Sequence, residues 1–574
     1  MKNIYILVCI ATLFLINNSC QEDFLDRAPL DKISQDAVFN SAKYAEAYLY
    51  NIYNYTPNGY GLHSIGHKGS TGFGRETSLD CTTDISVNKS GWTASWTIVN
   101  SGFSPTNNDF DSWNSIYKAV YLCNDFIDNL NKSKLPDNVK TKLGAEARFN
   151  RALQYFELVR RYGDVPFFRK PQDFNDTTTI FVPRTDKKVI YDFIDSELTD
   201  CAEVLPWAKD AGAAYLGRAT KEACIAIGAR AMLFAERYSR SAELNKTLID
   251  AVTNGTSDRE LSPDYRSLFT SYGGDKEVIF EVLFDGSKTG NPVDNLNRPA
   301  KVHGSWGGQW NPTQNLVDAY EMKNGKMINE PGSGYDPQNP YANRDSRLDA
   351  SILHHGSYFM GYTMDLTWQL VNGVWKPDPT VVDAPRATGL STITGYYIRK
   401  FMDETAPLGV EFGQGKQSWK EIRLAEVYLN YAEAQYDVDP SDPSILSAIN
   451  KVRERAGQPD LTSITMNRIL HEREVELAFE GDRFWTIRRH HLGNQLFNPT
   501  GNGNYMNCCY YLKDNAGNVK YVYSANDIPA GTTLAYPTNT SPMAKHNWYE
   551  KNYLFPIPQA EMDKNTFLEQ NPGY

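Results

Sequence analysis

What this chain lacks narrows its function first. After residue 16 no uninterrupted apolar run approaches the roughly 20 residues that span a bilayer, which excludes a bundle of membrane helices. Positive charge is in deficit, with 58 Lys and Arg against 69 Asp and Glu. The resulting net charge of -11 removes the clustered cations on which nucleic-acid binding relies. Cysteine is sparse, 8 in 574 residues. Cys81, Cys123, Cys201, Cys224, Cys508 and Cys509 form no CxxC pair and are not interleaved with histidine, so no zinc site is expected. They read as small buried hydrophobes, with pairing left open, including between the vicinal Cys508 and Cys509.

Hydrolase signatures are missing as well. There is no HExxH, no GxSxG elbow and no phosphate-binding GxxxxGK(S/T) loop, and the doublets His354-His355 and His490-His491 would point apart on a helix. A retaining glycosidase needs two carboxylates about 5 Å apart, which Glu472/Glu476 or Asp345/Asp349 offer at helical spacing. Arg473, Arg483, Arg488 and Arg489 lie near enough in sequence to make ion pairs the simpler reading.

What is abundant is aromatic: 13% of the chain, with 35 Tyr and 11 Trp. That exceeds what a core of this size needs and suits a neutral ligand with apolar faces, such as a sugar ring. The amino terminus points to a location. Met1-Lys2-Asn3 is a basic start, Ile4 to Ile16 has signal-peptide length, and Ser19 is a small residue directly before Cys20. This resembles a bacterial lipoprotein signal, apart from Asn17 where an aliphatic residue is usual. Cleavage before Cys20 would leave its thiol and amine for acylation, so residues 1–19 are read as signal and 20–35 as a lipidated linker. Gln21-Glu22-Asp23 resembles an export signal to the outer face of the outer membrane.

From residue 36 to 574 the chain reads as one domain, mainly α. Phe149, Ala152, Leu153, Phe156 and Val159 recur at three- and four-residue steps in a helix ending at Gly163. Ile422, Ala425, Tyr428, Leu429 and Ala432 repeat the pattern, with alanines permitting close approach. Further amphipathic segments lie near 36–54, 111–131, 187–204, 219–239, 443–456 and 466–480. Helices arriving in hairpins predict tetratricopeptide-like stacking over about 36–55, 111–254 and 416–492, without a clean 34-residue repeat. Residues 56–110, 255–415 and 493–550 have a Gly-, Asn- and Pro-rich texture with short strand-like runs, and read as long insertions of the kind that carry binding surfaces. Pro556-Ile557-Pro558 predicts an extended docking segment within 551–574.

A series of motifs runs through this framework: Asp23-Phe24-Leu25-Asp26, Trp113-Asn114-Ser115-Ile116-Tyr117, Glu146-Ala147-Arg148-Phe149-Asn150-Arg151-Ala152 leading to Arg161-Tyr162-Gly163-Asp164-Val165-Pro166, and Asn343-Arg344-Asp345-Ser346-Arg347-Leu348. It continues with Arg423-Leu424-Ala425-Glu426-Val427-Tyr428-Leu429-Asn430-Tyr431-Ala432-Glu433-Ala434, then Glu472-Arg473-Glu474-Val475-Glu476-Leu477-Ala478-Phe479-Glu480-Gly481-Asp482-Arg483-Phe484, and ends with Leu554-Phe555-Pro556-Ile557-Pro558 and Gln570-Asn571-Pro572-Gly573-Tyr574. In this order, over more than 500 residues, the chain resembles the SusD/RagB family of nutrient-binding outer-membrane lipoproteins. The charged motif residues also have a structural explanation. Arg148, Arg151, Arg160 and Arg161 are expected to pair with carboxylates such as Glu426, Glu433, Glu472, Glu476 and Glu480 on neighbouring helices.

The resemblance implies capture and transfer without covalent chemistry. Such a protein is a lid on a SusC-like TonB-dependent barrel, holding an oligosaccharide, or alternatively a peptide or glycopeptide, in a groove between the two. It also implies that ligand meets the insertion loops, which places Trp92, Trp96, Trp306 and Trp310 as stacking residues and Arg75, Asp84, Asn100 and Gln309 as polar contacts. Trp368 and Trp375 extend the same expectation. No cofactor is implied; the turn Asp514-Asn515-Ala516-Gly517-Asn518 reads as a hairpin tip, though its oxygens suit calcium.

Overall fold

The structure, a computed structural model, describes residues 38–60, 76–90, 93–108, 110–287, 289–302, 307–407, 413–497, 506–536 and 545–574. Cys20 and the expected signal lie outside the described residues. The scaffold is a succession of helices: α1 (Ala42–Tyr53), α2 (Trp113–Lys132), α3 (Asp137–Tyr162), α4 (Lys187–Val204), α5 (Lys221–Phe234), α6 (Tyr238–Thr253), α7 (Leu424–Val438), α8 (Pro443–Arg455), α9 (Met466–Glu476) and α10 (Asp482–Arg489). Most pack on their neighbour in the series, α2 on α3, α3 on α4, α4 on α5, α5 on α6 and α7 on α8, as in a helical-hairpin stack, while α9 packs chiefly on α7. The stack continues from α6 to α7 although residues 254–423 intervene. Among the described residues no helix is long and apolar enough to cross a membrane.

Local chemistry sets the helix ends. The Asp186 carboxylate accepts the Lys188 N–H at 2.8 Å to start α4, and Asp442 does the same for Ser444 ahead of a proline at the first turn of α8. α3 stops where Gly163 adopts φ 71°, its N–H returning to the Val159 carbonyl at 3.0 Å. The sequence predicts one apolar face for α3, but it is buried on nearly all sides from Ala145 to Tyr162, apart from Arg148. Its charges are therefore enclosed with it. Arg148 and Arg151 both reach Glu197 of α4, at 2.9 and 2.6 Å, and Arg160 and Arg161 pair with Glu157 one turn earlier on the same helix. Ion pairing is as expected; the partners are not the glutamates of α7 and α9.

The three insertions are joined to one another by strands. β1 (Ser86–Asn88) in the first pairs antiparallel with β3 (Trp310–Pro312) in the second. β2 (Val278–Val282) pairs with β6 (Trp419–Arg423) at the edge of the scaffold. A five-stranded sheet then combines β4 (Thr367–Val371) and β5 (Val374–Pro377) of the second insertion with β7 (Tyr510–Lys513), β8 (Val519–Val522) and β9 (Thr533–Leu534) of the third. Its order is β8-β7-β4-β5-β9, with β7–β4 and β5–β9 parallel and the other pairs antiparallel. The turn at Asp514–Asn518 is the tip of the β7–β8 hairpin, where the Asp514 carboxylate accepts the N–H groups of Ala516 and Asn518 at 2.9 and 2.8 Å. Cys81, Cys123, Cys201, Cys224, Cys508 and Cys509 are buried free thiols, so the vicinal pair is not bridged.

A lattice of buried charge clamps the second insertion to the scaffold. Glu476, fully buried on α9, meets Arg347 of the insertion at 2.9 Å, Arg423 of β6 at 2.7 Å, and Arg455 of α8. Arg347 also binds Asp345 at 2.7 Å and Glu472 at 2.6 Å, Arg453 bridges Glu472 and Glu321, and Arg423 and Arg455 both reach Glu277. The Glu476 carbonyl accepts the Tyr265 hydroxyl at 2.6 Å. Burial would raise the Glu476 carboxyl, but the three guanidiniums overcome it and hold the group well below the ordinary carboxylate range.

Removing one member of such a lattice leaves buried charge uncompensated, so Glu476→Gln is expected to cost about 3–5 kcal/mol at neutral pH. Because the folded-state pKa is depressed, that stabilisation is complete above the unfolded carboxylate range and disappears as pH falls through the folded value. Urea unfolding of both proteins at neutral and acidic pH should show the difference between them shrinking with acid.

Candidate glycan-binding face

The antiparallel β1–β3 ladder sets Asn88 opposite Trp310 and Ser86 opposite Pro312, bringing together two segments more than 200 residues apart in sequence. Its ends are tied by side chains. The Lys89 N–H bonds the Gln309 carbonyl at 3.0 Å, the Ser90 hydroxyl donates to Gln309 Oε1 at 2.7 Å, and the Lys89 ammonium reaches the Gly389 carbonyl at 2.8 Å. Burial pulls the Lys89 ammonium down to about 8. Gly307 and Gly308, at φ 36° and 53°, turn the chain into β3; a Cβ on Gly308 would lie 2.8 Å from the Leu390 carbonyl oxygen.

Beyond the ladder, a short helix at Ala94–Ser101 carries Trp96 and Asn100, both half-buried. Asn100 donates its amide to the Trp96 carbonyl at 2.8 Å and its own carbonyl accepts the Tyr549 hydroxyl. The Asn547 N–H bonds the Val99 carbonyl at 2.9 Å, so the third insertion buttresses this helix. The indole N–H of Trp96 is buried with no hydrogen-bond partner among the described residues, an unspent donor at the margin of the face.

The expected contacts divide accordingly. Trp96 and Asn100 lie on this margin, and Trp92, Trp306 and Arg75 fall outside the described residues. Gln309, 6% exposed, is engaged with Ser90 at the ladder's end. Trp310, 3% exposed, packs into the core with Ile85, Leu316 and Tyr397 on a strand buried along its whole length, and is no stacking platform. Trp368 and Trp375 are likewise core residues of the five-stranded sheet, their indole N–H groups bonded to the Pro385 carbonyl and the Thr532 hydroxyl. Asp84 is 6% exposed and committed to Arg483 of α10 through bonds of 2.8 and 2.6 Å, while Asp80 accepts the Gly481 N–H at 2.8 Å. Both acids of Asp80-Cys81-Thr82-Thr83-Asp84 thus anchor the loop instead of facing solvent. Burial pushes the carboxyl of Glu474, which shares Arg483, up to about 7. Lys89 and Ser90 were missed by the sequence reading; their position between Asp84 and Trp92 was the available signal.

The carboxylate pairs that fit a glycosidase by spacing are occupied. Glu472 and Glu476 are buried and bound by Arg347, Arg453, Arg423 and Arg455, and Asp345 by Arg347. Asp349 accepts His354 at 2.8 Å.

Comparison with known proteins agrees with this architecture. Residues 276–574 match the model of the SusD family, and residues 23–233 a model described as starch-binding, associating with the outer membrane. A SusD-like protein of Bacteroides ovatus is 25% identical over 99% of this chain and 97% of its own. A solved SusD-like protein of Bacteroides fragilis superposes with a TM-score of 0.75 at 26% identity, covering 96% of this chain and all of that one. A SusD-like carbohydrate-binding protein of the same species does so at 0.74 and 24%, over 93% of this chain and all of its own. With the helical stack, the joined insertions and the docked carboxy terminus all in place, the chain belongs to the SusD family.

Proposed function

We propose that this protein is a cell-surface glycan-binding lipoprotein, anchored through Cys20, that captures an oligosaccharide and delivers it to a SusC-like TonB-dependent transporter of the outer membrane. The observation that carries the reading is the β1–β3 ladder. It holds Ser86–Asn88 against Trp310–Pro312, so that the stretch leading to Trp96 and the stretch beginning at Gly307 are neighbours despite their separation in sequence. The family's association with the outer membrane supports the location, and a carbohydrate-binding relative of the same fold supports the ligand class. A neutral sugar suits a face with aromatic rings, amides and one weakly basic lysine. Engagement of the spaced carboxylate pairs in ion pairs supports binding without cleavage. Energy for import comes from the transporter, and this chain contributes position and selectivity.

The chain beginning at Gln21 should bind one glycan from a panel of polysaccharides and peptides, in affinity electrophoresis and calorimetry, and return it uncleaved. Trp92→Ala and Trp306→Ala should each weaken binding by about 2 kcal/mol, roughly thirtyfold. Cleavage products, or binding to peptides alone, would overturn the reading. Trp310→Ala should instead lower stability, by about 3–5 kcal/mol in thermal or urea unfolding, because it empties a core position. In cells, Cys20→Ser should move the protein out of the membrane fraction and abolish co-purification of a large barrel; retention of both would refute the anchor.

A further inference from the structure

A second aromatic cavity lies apart from the insertions, between α2, the segment 166–181 and the terminal helix α11 (Gln559–Lys564). Its volume is about 260 Å3. The floor is one face of α2, where Trp113, Tyr117 and Tyr121 follow at four-residue steps, rising about 6 Å each along the helix. Trp113 and Tyr117 have ring centroids 4.9 Å apart. Phe174 stands over the far end, 5.1 Å from Tyr121, and is 69% exposed. Phe174 thus rests on Tyr121 and leaves most of its apolar surface open beside the cavity.

The polar groups around these rings are uncommitted. Among the described residues, the Trp113 indole N–H and the side-chain amides of Asn114 and Gln172 make no hydrogen bond. Glu561 has one carboxylate oxygen on Lys564 at 2.8 Å and the other free of any ion pair. An acyl chain would leave these donors and acceptors unsatisfied. An anion would meet Glu561, and Lys118, the one cation on the wall, lies over the Tyr121 ring at 5.6 Å. Flat apolar walls edged with amides and a carboxylate match a neutral ring that has CH faces and equatorial hydroxyls. The volume is a little below the roughly 300 Å3 where sites for drug-sized ligands begin, which suits a short stretch of a glycan chain.

We propose that this groove is a second carbohydrate subsite, separate from the insertion face, that stacks a neutral sugar unit against the paired rings of Tyr121 and Phe174 and holds its hydroxyls with Trp113 Nε1, Asn114, Gln172 and Glu561. The inference rests on the glycan-capture reading and extends it. Two subsites on one lid would hold a long polysaccharide at two points, so that neither contact needs to be tight.

The test uses linear neutral hexasaccharides of β-1,3-glucan, β-1,4-xylan, β-1,4-mannan and α-1,4-glucan, followed by saturation-transfer NMR on the chain from Gln21. In a Trp92→Ala/Trp306→Ala background at least one hexasaccharide should still receive saturation. Adding Phe174→Ala and Tyr121→Ala should reduce that signal at least fivefold, with an unchanged melting curve, and Phe174→Trp should retain it. If a hexasaccharide binds the native chain but its signal is indifferent to Phe174 and Tyr121, the groove proposal falls and the capture reading stands. If no hexasaccharide binds the native chain, both fall. NMR contacts from residues 21–37 to Tyr121 would also overturn the proposal, since the groove would then be filled by the chain itself.

Discussion

The fold depends on the clamp centred on Glu476. A helical stack can be built from nearest-neighbour apolar contacts, and α2 to α6 are, but the long second insertion has little regular structure of its own with which to hold a shape. Arg347, Arg423, Arg453 and Arg455 supply that constraint by tying Asp345 and Glu321 of the insertion to Glu472 and Glu476 of α9. Enclosed charge is costly to desolvate, so its yield is orientation more than stability: each guanidinium accepts only carboxylates placed in its plane, and a slipped insertion would strand them. β3 precedes Glu321, Asp345 and Arg347 in the same insertion, so the clamp helps to hold the stretch that carries the candidate face.

The scaffold was legible in the sequence because a period of 3.6 residues is a local signal. The segment read as 187–204 is α4 to the residue, since Asp186 caps it and Leu205-Pro206 ends it. Near the end, Pro556-Ile557-Pro558 predicts an extended segment, and Phe555 and Ile557 are buried. The insertions were less legible. β1 and β3 are three residues each, too short to show alternation, and pair across more than 200 residues, which no local pattern encodes. Trp310 lies in the same glycine-flanked stretch as Trp306, and its burial follows from that same pairing, which covers the whole of β3. Asp84 sits beside tryptophans like a ligand contact, yet its partner Arg483 is 399 residues away. The charges of α3 were correctly read as paired, but which glutamate each arginine meets is a question of helix neighbours, and Glu197 belongs to the adjoining helix.

The same logic applies to the aromatic residues. Residue type announces a chain rich in indole and phenol rings, with fewer cations than anions. Which of those rings face outward is decided by pairing between insertions, because the five-stranded sheet encloses Trp368 and Trp375 while drawing strands from two separate stretches. Aromatic abundance therefore served two purposes, core and surface, in proportions that only the fold reveals.

The docked carboxy terminus has a consequence for how the chain is made. The Phe555 N–H bonds the Arg161 carbonyl at 2.7 Å, and the Asn571 amide joins the Tyr162 and Phe555 carbonyls at 2.9 and 2.7 Å, sealing the end of α3. The helix α6 likewise waits for α7 to cover it. A ribosome delivering this polypeptide from its first residue must complete almost all of it before the earliest hairpins acquire their last neighbours. Until then those hairpins lack the partners that cover their apolar surface in the finished fold.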